Sequence, residues 1–346
     1  MLSSSLNQFC LNLQSIREHL TYLDDCKDLF VNINQNVITH IPIKEKLISL
    51  KKRISKEKVF NYNANIISLY GYFEQYVEAL IEEYVDMLIT IVNQFDMNTN
   101  IVKNQFFDKW ERLHNKISYP KYAHLTEEKL IQSLYEAKIG NKNHLIPEYY
   151  FQNGGNYKHS VICDCFKSLG MEDISQKIKY YDPLCSYFKS KGIFEQNEDI
   201  LYEPLNDLVA RRNDVAHGNN SDIIDLSYFK EYVEYVELYA RTLNALLDDK
   251  LTELKWNNTK SSVINIKNLY NHHIVEIEVE DFVIEIGDTF LVREPKKTCP
   301  RYTIRKVESI QKDDQPLPEF ITYEKDTLAL GLSNNIKKNC KLKIVK

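Results

Sequence analysis

The sequence predicts a two-domain protein in which an all-α helical bundle is followed by a small all-β domain, a barrel or a sandwich. Apolar residues recur with helical spacing through most of residues 1–255. After Trp256 the period changes, and residues 260–346 alternate between apolar and polar positions as strands do. Gly and Pro are few, at nine each, which favours long helices over a loop-rich fold. We therefore assign residues 1–255 to a helical domain and 260–346 to a β domain.

The first domain is a series of helical patterns separated by breaking residues. Pro42 fits a helix start, since proline is tolerated in a first turn, and Thr126 is the expected N-cap of a short helix. The block 60–96 carries the broadest apolar stripe and is expected to be the central helix. Residues 140–156 carry loop signals, and His144 and His159 beside them are interpreted as surface histidines. Helical spacing covers 4–34, 41–57, 60–96, 101–117, a short segment after Thr126, 157–169, the residues from 200 to 217, and 223–254.

The second domain is predicted from alternation and from its turn residues. Val, Ile and Phe alternate with polar residues, and Asp281 and Gly287 mark turns. Six or so short strands in this length favour a small antiparallel barrel or sandwich. The strand-like segments are 272–294, 301–311, 318–324, 326–332 and 341–346.

Charge is distributed unevenly along the chain. The whole sequence carries 44 Lys and Arg against 49 Asp and Glu, a net charge of −5. Residues 258–346 hold 15 basic and 13 acidic side chains, a net charge of +2, so the preceding region carries −7. An acidic region is atypical of a protein that binds nucleic acid in bulk. No apolar stretch reaches the ~18 residues of a membrane span and the N-terminus lacks a signal-peptide pattern, so we expect a cytoplasmic protein with no membrane partner.

One short polar segment, residues 211–218 (RRNDVAHG), stands between two apolar helical patterns. Arginine presents a planar, permanently charged fork that fits phosphate, and histidine moves protons near neutral pH. Together they suffice for metal-free phosphodiester chemistry. Arg212 and His217 are five residues apart, about 140° around an ideal helix, so they meet at one phosphate only if the helix bends or ends near Gly218, or if a second copy completes the site. The alternative is the polar end of a helix, capped by Gly218.

The segment resembles the Arg-Asn-x-x-x-His signature of the HEPN superfamily, helical proteins that include many metal-independent RNases of toxin and anti-phage systems. The segments 70–88, 154–171 and 226–243 are similar to flanking regions of the RiboL-PSP-associated branch. The resemblance covers roughly residues 1–250. It implies a helical fold, a homodimer that brings two motifs to one cleft, and Arg212, Asn213 and His217 as catalytic residues, with Arg211 and Asp214 in support.

Other candidate residues lie outside the motif. Glu74 falls within the apolar stripe of the central helix and needs a partner there; it either orients a motif side chain or forms an ordinary ion pair. Four basic residues cluster around a predicted hairpin of the β domain and are RNA-binding candidates or a solvated edge, namely Lys296, Lys297, Arg301 and Arg305. No cysteine or histidine spacing matches a zinc site, so we expect no metal and no cofactor.

Two functions remain open from the sequence. The resemblance favours a metal-independent endoribonuclease, a toxin or phage-defence effector with an RNA substrate, that leaves 2′,3′-cyclic phosphate and 5′-hydroxyl ends. Its other expected partners are a second copy of the chain and an antitoxin or defence-system protein. The alternative is a non-catalytic module that binds RNA, a nucleotide or a partner protein, which the acidic helical region favours.

Overall fold

The computed structural model describes residues 2–33, 41–92, 106–139, 145–151, 156–218, 223–296 and 299–345. The chain divides into two compact units. The first contains the described residues up to Asp86 and those from 106 to 245; the second contains 87–92 and the described residues from Leu246 onward. In the part of the chain so described, no helix has the length and apolarity needed to cross a membrane.

The fold class is confirmed, because helices occupy the chain as far as Asn258 and strands follow it. Short 3₁₀ turns lie at Pro120–Tyr122 and Pro147–Tyr150. The helices of the described residues are α1 (Ser4–Ile33), α2 (Ile41–Val92), α3 (Phe106–His114), α4 (Glu127–Ile139), α5 (His159–Lys167), α6 (Ile174–Ile178), α7 (Leu184–Ser190), α8 (Glu198–Leu201), α9 (Glu203–Ala216) and α10 (Leu226–Asn258).

Helix α2 is the centre of the helical unit, as its broad apolar stripe predicts. The segments 41–57 and 60–96 belong to one helix that runs to Val92, since no glycine or proline interrupts the chain between Pro42 and Gly71. Fully buried side chains follow one another along its second half, among them Phe73 and Leu80. Tyr76 donates a hydrogen bond to the Ala240 carbonyl of α10 at 2.8 Å. A buried hydroxyl that is satisfied in this way fixes the register of the two helices.

Two helix boundaries differ from the sequence pattern, and a third agrees with it. The helix expected at 101–117 is found at Phe106–His114, and residues 101–105 lie outside the described residues. The break expected at Trp256 comes later, because α10 continues to Asn258. The predicted cap of α4 is confirmed: the Lys129 amide donates to Thr126 Oγ1 at 3.2 Å.

The second unit contains an antiparallel barrel, which decides between the barrel and the sandwich. Six strands pair in the order β4, β9, β1, β2, β8 and β5, and β4 pairs with β5 to close the ring. Closure satisfies the edges that an open sheet would expose. The strands of the described residues are β1 (Ile264–Tyr270), β2 (Ile274–Val279), β3 (Phe282–Glu285), β4 (Thr289–Glu294), β5 (Arg301–Lys312), β6 (Gln315–Leu317), β7 (Glu319–Thr322), β8 (Asp326–Leu332) and β9 (Lys341–Val345).

The interpretation of His159 as a surface residue is wrong. Its side chain is only 3% exposed, and its ring stacks on Tyr202 with centroids 3.4 Å apart. The Tyr239 hydroxyl lies 3.0 Å from its Nδ1. The residue opens α5, whose apolar face includes the imidazole. His144 lies outside the described residues.

The buried imidazole of His159 predicts a loss of stability in acid. Burial lowers its pKa to about 3, whereas an unfolded histidine titrates near 6.5. The unfolded chain therefore binds the proton first, and stability that is present above pH 6.5 is lost as the pH falls toward 3. Between pH 7.5 and pH 5, the free energy of unfolding should fall by about 2 kcal/mol less in His159→Phe than in wild type. Urea unfolding at both pH values measures this, with His19→Phe, an exposed histidine of α1, as control. Equal losses in His159→Phe and wild type would contradict it.

Candidate active site at the end of helix α9

The Arg-Asn-x-x-x-His segment occupies the last turns of α9 and ends it. Pro204 lies in the first turn of the helix, and Leu205, Leu208 and Val209 are fully buried, so the polar residues are left on the other faces. The helix ends at Ala216 with His217 as its C-cap. Gly218 follows with φ +71°, a left-handed conformation that glycine adopts without a Cβ penalty. His217 therefore lies at the helix end, as the sequence requires if the motif is to act at one phosphate.

Arg211 belongs to a network that fixes the helix in place. Its Nε donates to Asp207 at 2.7 Å and its guanidinium also donates to the Tyr62 hydroxyl at 3.2 Å. The Tyr232 hydroxyl of α10 donates to the same carboxylate. Burial opposes the charge, but the hydrogen bonds to Asp207 and Tyr62 outweigh it and raise the pKa of Arg211 above its usual value. The network links α9 to α2 and α10, so Arg211 has a structural role.

Arg212, its neighbour, is held only by neutral groups among the described residues. Its guanidinium carbon lies 5.1 Å from the centre of the Tyr70 ring. One of its terminal nitrogens donates to Asn213 Oδ1 at 3.0 Å. The side chain is half-buried, and no carboxylate of the described residues lies at ion-pair distance from it. A half-buried charge ordinarily has an ionic partner, so this cation is available for an anion that the described residues do not supply.

Asn213 connects Arg212 to Asn156, the last residue of the predicted loop. Its Oδ1 accepts from Arg212, and its Nδ2 donates to Asn156 Oδ1 at 2.9 Å. One residue further, the Tyr157 amide donates to the Tyr70 hydroxyl at 2.9 Å. The Tyr70 ring that contacts Arg212 and the Asn213 amide are thus both hydrogen-bonded to residues 156–157. Here Asn213 positions Arg212, a role that the sequence alone did not assign.

His217 is exposed and its imidazole has no hydrogen-bond partner among the described residues. Its backbone amide donates to the Asn213 carbonyl at 3.0 Å, the last bond of the helix. Asp214 is half-buried one turn before it. Arg212 and His217 thus share the C-terminal end of α9, and no hydrogen bond joins their side chains. An exposed imidazole at the same helix end as this arginine is able to accept or donate a proton at a bound phosphodiester.

Glu74 lies one turn beyond Tyr70 on α2, near the candidate site. Burial raises its pKa, and the neighbouring Glu78 carboxylate raises it further. Lys121 and Arg212 oppose this shift, which places Glu74 within electrostatic range of the motif arginine. Glu78 in turn accepts from the Tyr157 hydroxyl at 3.1 Å. The Glu74 carboxylate therefore acts on Arg212 through space, not through an ion pair.

The β hairpin predicted beside the basic residues is present, since β4 and β5 pair directly, and Arg301 and Arg305 lie on β5. Lys296 is exposed, whereas the Arg301 side chain is only 14% exposed and lies 3.9 Å from Asp249. Burial lowers the pKa of Arg301 to about 10. Arg305 is half-buried and donates to the Ile304 carbonyl. Lys297 lies outside the described residues, so an RNA-binding role for these four stays a prediction.

Two site residues escape sequence reasoning for identifiable reasons. Tyr70 lies in the apolar stripe of α2, where a tyrosine is typical of the core, and it is indeed only 1% exposed. Its role depends on a helix more than a hundred residues away, which no local pattern reveals. Asn156 is one of several polar residues in the predicted loop, and nothing in its neighbours distinguishes it. In the described chain, no group of three His, Cys, Asp or Glu side chains is arranged to hold a metal ion.

A helical unit with an arginine and a histidine at one helix end is what the resemblance to HEPN proteins leads one to expect. The family model RiboL-PSP-HEPN matches residues 32–249, well over half of the chain. The chain belongs to the RiboL-PSP-HEPN family, and the resemblance drawn from its motifs is confirmed. No curated protein matches the sequence.

The two adjacent arginines predict opposite results on substitution. Arg211→Ala leaves Asp207 without its cation and should lower the free energy of unfolding by about 2 kcal/mol. Arg212→Ala removes one ring contact and one hydrogen bond to a neutral group, and should change it by less than about 1 kcal/mol. Urea unfolding of both variants beside wild type measures the difference. A larger loss for Arg212→Ala than for Arg211→Ala would show that the roles are reversed.

Proposed function

We propose that this protein is a metal-independent endoribonuclease whose active site contains Arg212 and His217. The main observation in support is the environment of Arg212. Its half-buried guanidinium contacts a tyrosine ring and an amide, and no carboxylate of the described residues lies at ion-pair distance. Membership of the HEPN family, whose domains are frequently RNases, supports the same chemistry. A planar guanidinium fork fits phosphate as well as carboxylate, so a phosphodiester is a suitable anion for this site.

In the proposed reaction His217 removes the proton of a ribose 2′-hydroxyl, and the oxygen attacks the adjacent phosphorus. The new bond joins the 2′-oxygen to phosphorus, and the bond to the 5′-oxygen breaks. That oxygen takes a proton from an imidazolium, either His217 of the same copy or its counterpart in a second copy. The products are a 2′,3′-cyclic phosphate and a 5′-hydroxyl. Arg212 stabilises the negative charge that develops on the phosphoryl oxygens, and Asn213 keeps its guanidinium in place.

A homodimer completes this proposal. Arg212 and His217 leave the end of α9 about 140° apart on an ideal helix, and no hydrogen bond joins them within one chain. Two copies that face each other would bring a second arginine and a second histidine to the same phosphate. A toxin or phage-defence role, with an antitoxin or another defence protein as partner, follows from the family resemblance and is proposed on that ground.

The alternative is a non-catalytic module that binds RNA, a nucleotide or a partner protein. The angular separation of Arg212 and His217 favours it, because an exposed histidine at the end of a helix is common without any catalytic role. The net charge of −7 outside residues 258–346 favours it too, since RNA must then be attracted by local basic groups. The two proposed functions are distinguished by the role of His217: the nuclease requires its side chain for RNA cleavage, and the binding module does not.

RNA cleavage in the presence of EDTA tests the proposal. Purified wild-type protein should cut total RNA and leave DNA intact. His217→Ala and Arg212→Ala should each lose about a hundredfold or more of the rate, since both act in the transition state. Exposed residues of the same types provide matched controls: His19→Ala on α1 and Arg53→Ala on α2 should cut as wild type does.

Three outcomes would contradict the proposal. Cleavage that stops in EDTA and returns with a divalent metal would exclude the metal-free mechanism. Cleavage that survives in both motif variants would place the active site elsewhere. RNA binding by wild type and His217→Ala alike, without cutting by either in EDTA or with metal, would favour the binding module.

A further inference from the structure

A polar pocket of about 710 Å³ lies beside β5, next to the end of β8 and the start of β2. Among the described residues that line it, Leu332 is the one apolar residue. Asn334 and Asn335 contribute two exposed amides, each with a donor and an acceptor. Sites for small molecules commonly measure about 300 to 1,000 Å³, so the size and the lining suit a small polar molecule.

A β-bulge places two side chains of opposite charge on this one pocket. Arg305 and Glu308 are three residues apart on β5, and in a regular strand they would point to opposite faces of the sheet. The pairing of β5 with β8 shifts between Val307 and Ser309, so Glu308 is the extra residue of a bulge. Both side chains therefore line the same pocket. Bulges redirect side chains in this way beside functional sites.

These two charges do not neutralise each other. Arg305 and Glu308 form no ion pair with one another or with any other described residue. The half-buried guanidinium donates from Nη1 to the adjacent Ile304 carbonyl at 2.9 Å, and its Nε is buried with no acceptor among the described residues. Buried donors nearly always have an acceptor. A cation and an anion that line one pocket without pairing fit a ligand that carries both charges.

Two neutral side chains of the pocket offer hydrogen bonds to both ends of such a ligand. The Ser333 hydroxyl oxygen accepts from the Lys306 amide at 3.0 Å, so its own hydrogen is left to donate. Nδ1 of His273 lies 2.7 Å from the Asn271 carbonyl. Because a carbonyl only accepts, Nδ1 carries the hydrogen and Nε2 is the acceptor of the neutral ring. The pocket thus has a donor for a carboxylate and an acceptor for an ammonium group.

We propose that this pocket binds a free α-amino acid as a zwitterion. Arg305 and Ser333 would donate to the carboxylate of the ligand, and Glu308 and His273 would accept from its ammonium group. The single leucine of the lining favours an amino acid with a small or polar side chain. A phosphate group would be repelled by the Glu308 carboxylate, and a simple amine would leave Arg305 without an anion. The site does not depend on the proposed nuclease activity.

Calorimetric titration of the full chain with glycine and with L-alanine, L-serine, L-threonine, L-asparagine and L-glutamine tests the proposal. At least one should bind, and the matching amine and the matching carboxylic acid should each bind about tenfold more weakly or worse. Glu308→Gln should weaken the amino acid by about tenfold and abolish its advantage over the carboxylic acid. Arg305→Gln should weaken it at least as much. The controls Lys306→Gln and Glu319→Gln, exposed residues outside the lining, should bind as wild type does.

Three outcomes would overturn the proposal. None of the six amino acids binds, or binding survives unchanged in Glu308→Gln, an exposed position whose variant folds even if Arg305→Gln does not. The third is inorganic phosphate or single-stranded RNA that binds through Arg305 while no amino acid does, which would assign this arginine to a phosphate. Amino-acid binding by a protein that cuts no RNA would keep this site and refute the nuclease, and RNA cutting without amino-acid binding would do the reverse.

Discussion

The contact between the Arg212 guanidinium and the Tyr70 ring is the interaction on which the candidate site depends. It places a cation 5.1 Å from an aromatic centre, on a helix whose apolar face is fully buried. Cation–π attraction stabilises the charge without neutralising it. The Asn213 amide and the Tyr157–Tyr70 hydrogen bond then fix the two groups. A guanidinium held in this way keeps its capacity for an anion, which an ordinary salt bridge would have consumed.

Two adjacent arginines of one helix, Arg211 and Arg212, have different roles, the first structural and the second proposed to be catalytic. The two residues are adjacent and chemically identical, and about 100° of helical rotation sends them to different surroundings. Arg211 meets Asp207 and two tyrosines and ties three helices together. Arg212 meets neutral groups alone among the described residues. The assignment of Arg212 as the catalytic arginine thus gains a physical reason that the motif by itself does not supply.

Much of the fold is predictable because the spacing of apolar residues along the chain indicates which face of a helix or strand is buried. The stripe of α2, the order of helices before strands and the cap at Thr126 each depend on local sequence, and the structure confirms them, although the last helix ends at Asn258 and not before Trp256. The prediction for His159 is wrong because a polar residue beside a loop looks exposed, while its burial depends on Tyr202 and Tyr239, far along the chain. The same distance in sequence hides the roles of Tyr70 and Asn156. The position of His217 at a helix end is predictable from Gly218, which follows it. The hydrogen-bond partners of the motif side chains are not predictable from the sequence.

The chemical identity of the cut RNA ends tests the central claim most directly. If His217 activates a 2′-hydroxyl while Arg212 stabilises the charge on phosphorus, every product carries a 2′,3′-cyclic phosphate on one side and a 5′-hydroxyl on the other. The cyclic ends should resist ligation by enzymes that require a 3′-hydroxyl, and the 5′ ends should accept a labelled phosphate directly. Fragments with 3′-hydroxyl and 5′-phosphate ends would mean that water attacks phosphorus, and the roles assigned to Arg212 and His217 would be wrong.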